Sequence, residues 1–97
     1  MYTIKGIDEL ARQLTLALCD IIAQSKFDDA KYTVDFSRRL ADEDEWAALE
    51  AASSYIEMHD IDPSSAMELA RRYDRALGYD HDVIERLEGI LERIGKA

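Results

Sequence analysis

Residues 10–23 read LARQLTLALCDIIA, and ten of these fourteen side chains are apolar. That is too many for one face of a helix. At 3.6 residues per turn, Ile7, Leu10, Leu14, Leu18 and Ile21 form one stripe, while Leu16 and Cys19 project from other sides. A helix of this kind must be covered from more than one direction. The pattern predicts the central helix of a small bundle, running from about Ile7 to Lys26, with Asp8 and Glu9 in its first turn where the helix dipole favours negative charge.

The rest of the chain is read outward from this helix. Composition is 47% hydrophobic and 34% charged, with one Pro and four Gly among 97 residues, which describes a single globular, helix-rich domain over 1–97. A chain of this size buries roughly 60–70% of the surface its unfolded form exposes, enough for one core.

From Asp42 onward the signals are helical. Asp42 followed by Glu45 matches a capping box, and Trp46, Leu49, Ser53 and Ile56 give the next helix an apolar face ending near His59. After a turn over Asp60–Pro63, a further helix can start with Asp62 as cap and Pro63 in its first turn, or at Ser65 with Glu68 closing a box. Its stripe is Ala66, Leu69, Ala70, Tyr73 and Leu77, and Gly78 ends it. A last helix begins near Asp80 and aligns Val83, Ile84, Leu87, Ile90, Leu91 and Ile94. These make four principal helices.

Two stretches read as short strands. Met1–Lys5 alternates, with Tyr2 and Ile4 on one side. Over Lys31–Ser37, Tyr32, Val34 and Phe36 alternate with Thr33, Asp35 and Ser37. Wound as a helix, the wider stretch from Phe27 to Ala41 throws Phe27, Ala30 and Val34 to one side and Tyr32, Phe36 and Leu40 to the other, so no single stripe results. The expected fold is therefore mainly α: a four-helix bundle-like domain around its N-terminal helix, with short strands at about 1–5 and 31–37.

Net charge is −9, spread evenly over both halves of the chain. Direct binding to nucleic acid or to an anionic membrane needs a cationic footprint, so both are disfavoured and a protein partner with a basic surface is favoured. The apolar run is shorter than the roughly 20 residues of a membrane span. No signal-peptide pattern precedes it, and the lone Cys19 forms no internal disulfide. The expected location is the cytoplasm.

Site candidates are few. The run Asp42, Glu43, Asp44, Glu45, with Asp28, Asp29 and Asp35, could present a line of carboxylates that imitates nucleic-acid phosphates in a basic groove. Arg38, Arg39, Arg71, Arg72 and Arg75 would interrupt such a surface unless they pair with neighbouring acids. His59, Asp60 and Asp62, with Asp80, His81 and Asp82, contain metal-ligand types, yet cap positions explain the same residues.

The His59–Asp60 doublet resembles the paired ligands of HD-type phosphohydrolases. That pattern needs a His upstream of the doublet, and here the other His, His81, lies downstream. The resemblance carries no function across. Cys19 lies in the most apolar run, away from any base, and the chain has no G-x-S-x-G, P-loop or G-x-G-x-x-G sequence.

Tyr32, Tyr55, Tyr73 and Trp46 fall on apolar faces and are expected in the core. No cofactor is implied. The expected function is a non-enzymatic acidic protein that binds another protein, in the manner of a phage or mobile-element inhibitor of a basic nucleic-acid-binding machine. Alternatives are an assembly module acting as a homodimer or small subunit, and a metal-dependent enzyme or sensor using His59 and His81.

Overall fold

A computed structural model describes residues 4–96. Five helices follow one another: α1 (Ile4–Ala23), α2 (Ala30–Leu40), α3 (Glu45–Met58), α4 (Met67–Leu77), which is preceded by a 3-10 turn over Ser64–Ala66, and α5 (Asp82–Arg93). The domain is mainly helical, and no strand occurs among the described residues. α1 is the centre: α2, α3 and α4 all pack on it, and α5 closes over α3 and α4.

The excess of apolar residues on α1 is thereby accounted for. Leu14, Leu18, Cys19 and Ile22 are fully buried, and Leu10 nearly so. Thr15 is also buried. Its hydroxyl donates to the carbonyl of Ala11 at 2.8 Å, so the polar group enters the core already satisfied.

The expected strand over Lys31–Ser37 is instead part of α2. Its buried stripe is Ala30, Val34 and Ser37, continued by Ala41 just past the helix, which is helical spacing made from small and partly polar side chains. The large apolar residues Tyr32 and Phe36 point outward. Alternation arose because both faces of this helix carry apolar groups. Of the other expected strand, Ile4 and Lys5 belong to α1, and residues 1–3 lie outside the described residues.

The helix ends differ in detail from the expected caps. Asp42 does not cap α3, because the backbone there is still winding off α2: the amides of Glu43 and Asp44 both donate to the Leu40 carbonyl. Asp44 is the first extended residue, and its Oδ1 accepts from the Ala47 amide at 3.0 Å. Asp62 accepts from the amide and the hydroxyl of Ser64, but it starts the 3-10 turn, and α4 begins only at Met67. Gly78, at φ +80°, ends α4 in the left-handed region as expected. Asp60 adopts φ 48° after α3, and the Ile61 amide reaches back to the Ile56 carbonyl at 3.0 Å, a left-handed helix stop built on Asp instead of Gly.

α5 contributes the buried Ile84, Leu87, Ile90 and Leu91. It also sends Arg86 across to α3. The two Nη groups donate to the two carboxylate oxygens of Glu50 at 3.0 Å each, Nη1 also donates to Ser53 Oγ at 2.8 Å, and Glu57 lies 3.5 Å from Nε. A planar guanidinium facing a carboxylate in this forked arrangement is a charge-assisted, orienting contact.

Candidate functional site

The surface that stands out is built where α2 lies on α3. An outward stripe on α2 brings Tyr32 and Phe36 beside Met58, the last residue of α3, with Ala51 and Ser54 as the small residues between them. Tyr32 is 75% exposed, Phe36 52% and Met58 75%. Together they line an open groove of about 330 Å³ whose exposed lining is mostly apolar. Tyr55 forms part of its floor and is itself buried.

Tyr55 is held firmly. Its hydroxyl donates to Asp29 Oδ1 at 2.6 Å, tying the α1–α2 connection to α3. Burial, reinforced by that hydrogen bond to a carboxylate, pushes the phenol up to about 12. Behind it, the His59 ring packs against Phe27 at 4.2 Å and Tyr55 at 4.4 Å between centroids. The His59 Nε2 is buried among these rings with no hydrogen-bond partner.

The seven carboxylates singled out in the sequence do not form one line. Asp29 is taken by Tyr55, Asp42 accepts from Arg12 at 3.1 Å, and Asp44 caps α3. Asp28 and Asp35 share a cleft of about 340 Å³ with Lys31 and Arg38, so cations sit among them. Glu43 lies beside Arg39 and Phe36 in a shallow neighbouring groove, and Glu45 is in the first turn of α3. The eleven residues of α2 separate the two acidic ends by about 16 Å. Between them the helix carries Lys31, Arg38 and Arg39 against one acid, Asp35.

The aromatic residues divide. Tyr55 and Tyr73 are buried as expected, whereas Tyr32 and Trp46 are exposed. Trp46 stands at the start of α3, where its indole N–H donates to Asp8 at 2.8 Å and its ring packs on Tyr73. Tyr32, Phe36 and Met58 were not read as a site from the sequence. The signal for two of them was present, because Tyr32, Phe36 and Leu40 are spaced by four on the side away from Ala30 and Val34.

Cys19 and the serines Ser53, Ser54 and Ser64, the side chains with nucleophilic groups, have structural roles. Cys19 is fully buried, and burial pushes its thiol up to about 11. Ser53 accepts from Arg86, Ser54 donates to Glu50 and Ser64 donates to Asp62. Among the described residues no group of three His, Cys, Asp or Glu side chains is arranged to hold a metal ion.

His81 Nδ1 lies 2.7 Å from Asp74 Oδ1 across the α4–α5 turn. This contact raises the His81 pKa, first through the hydrogen bond and then through the charge of Asp74. A group raised on folding stabilises the fold fully below its ordinary value, near pH 6.5, and loses that contribution as pH rises through its folded pKa. His81→Ala should therefore lower the thermal midpoint slightly at about pH 6 and have no effect at about pH 9. Melting curves of both proteins at the two pH values check this.

The described residues form a small helical domain with an open apolar groove on α2 and α3, bordered along α2 by charges of both signs. No known protein family, no curated protein and no solved structure matches the chain. Among the described residues no helix is long and apolar enough to cross a membrane.

Proposed function

We propose that this protein acts by binding another protein through the α2–α3 face, and that the partner offers an apolar anchor flanked by basic side chains. The observation that carries this reading is the joint exposure of Tyr32, Phe36 and Met58 around one groove. Taking about 200 Å² for each fully exposed residue, they leave roughly 400 Å² of surface open, most of it apolar. That is the size of the largest apolar patch on an ordinary monomer, about 300–600 Å², which is often functional.

The same area weighs against a homodimer built on this groove alone. A twofold pair would bury roughly 800 Å², short of the ~1,200 Å² of a small stable interface. Burying the patch contributes about 10 kcal/mol gross, comparable to the ~4–15 kcal/mol that association costs. The rest of the affinity has to come from the margin. With a net charge of −9, the complementary partner is basic. A nucleic-acid-binding protein held away from its ligand is the form of this reading with the sharpest test. Strict phosphate mimicry asks for an unbroken anionic line, and the cations on α2 favour apolar anchoring over it.

Affinity capture with the wild-type protein and with Phe36→Asp and Met58→Asp tests the surface. Both side chains are exposed, so the variants should unfold at nearly the wild-type temperature yet recover the partner at least about tenfold less well. Charge reversal at Glu43 should weaken capture in a salt-dependent way. A partner retained by both groove variants would rule out this face. A captured partner that still binds its nucleic acid in the presence of excess protein would rule out the inhibitory form.

A further inference from the structure

α4 carries three arginines that the fold leaves unpaired. Arg12, Arg38, Arg86, Arg93 and Lys96 each hold a carboxylate. Among the described residues Arg71, Arg72 and Arg75 hold none, nor do Lys26, Lys31 and Arg39, but of these only the α4 arginines place three cations on one helix face. All three are exposed. On a helical projection they occupy a sector of about 100°, opposite the stripe of Met67, Ala70, Tyr73 and Leu77 that faces the core. Glu68 shares this outer face without pairing to them, and Asp74, on the flank, is engaged by His81. The outer face of α4 is thus net positive on a protein of net charge −9.

The bland account of such residues covers one of the three. Arg75 lies in the last turn of α4, where the helix dipole favours a cation, but Arg71 and Arg72 lie further inside the helix and gain little from it.

We propose that this face of α4 is a second binding surface, which takes a short acidic polypeptide segment. Guanidinium groups match carboxylates through two parallel N–H···O bonds, and a rigid helix presents them at fixed spacing. Arg71 and Arg75 are one turn apart, about 6 Å, a span that neighbouring acidic side chains of an extended segment can cover. The size of the patch selects the partner class. Firm nucleic-acid binding draws on about six to ten phosphate contacts, and three arginines supply too few. α4 packs on α1 and α5, whereas the Tyr32–Phe36 groove belongs to α2 and α3. The two surfaces therefore stand or fall separately.

The test is an NMR titration of the labelled protein with a poly-glutamate peptide and, in parallel, a single-stranded oligonucleotide of equal charge. The peptide is expected to move the guanidinium Nε–Hε signals of Arg71, Arg72 and Arg75 saturably. Binding should weaken at least about tenfold in the Arg71→Gln/Arg75→Gln variant, and by several-fold when both are Lys, which keeps the charge but loses the fork. Melting curves confirm that these surface variants stay folded. Shifts confined to other residues, no saturable shift, or a Lys variant equal to wild type would overturn the assignment. So would an oligonucleotide that binds the same arginines more tightly than the peptide.

Discussion

Leu18→Ala is expected to lower the unfolding free energy by about 3–5 kcal/mol and the melting temperature by roughly 15 °C or more. Leu18 is fully buried in the C-terminal half of α1, the helix on which α2, α3 and α4 all rest. Truncation removes the transfer free energy of the lost carbons and leaves a cavity with walls on several elements. Such a site collapses poorly, because closing the void would need several helices to move at once. Domains of this size have only about 5–15 kcal/mol to lose, so the variant should be folded but marginal. Leu16→Ala serves as the control, since Leu16 is only partly buried on the same helix and should cost much less. Denaturant melts that placed the two variants within about 1 kcal/mol of each other would contradict the central position of the Leu18 side of α1.

Arg86→Met should cost about 2 kcal/mol, in the range for lost hydrogen bonds to a charged group. The side chain is 18% exposed and ties α5 to three residues of α3. The loss exceeds that of an ordinary surface pair because the guanidinium is largely buried and its bonds to Glu50 and Ser53 go together, while the Glu50 side chain, 58% exposed, is rehydrated. The effect also depends on pH. Hydrogen bonding and charge from Arg86 hold the Glu50 carboxyl below its ordinary value of 4.5. A group lowered on folding stabilises above its unfolded pKa and loses that contribution as pH falls through the folded one. The gap between wild type and Arg86→Met should therefore be full near neutral pH and narrow in acid. Chemical denaturation at both pH values measures it, and a gap that widened in acid would refute the pairing.

How much of this was legible in the sequence depended on which residues carried each pattern. α1 was readable because Leu10, Leu14 and Leu18 are large, and so was α5, through Ile84, Leu87 and Leu91. α2 was misread because its core stripe of Ala30, Val34 and Ser37 is small and partly polar, while its largest apolar side chains, Tyr32 and Phe36, face away from the core. Reading by large apolar residues finds whichever face holds them.

The site was harder. The acidic residues were picked for their density, but Arg12 reaches Asp42 and Tyr55 reaches Asp29 only through tertiary packing. The groove needs Met58 beside Tyr32, two residues that are far apart in the chain and adjacent only once α2 lies on α3.

The open stripe on α2 gives the protein's charge a colloidal meaning. Two aromatic rings and a methionine left bare favour adhesion between copies at high concentration, and mutual repulsion at −9 opposes it. That protection is titratable. As pH approaches the isoelectric point near 4.5, the repulsion fades and the same rings become the sticky spots. Clouding near that pH, relieved by Phe36→Asp, would be the macroscopic trace of a helix folded with its largest apolar side chains facing outward.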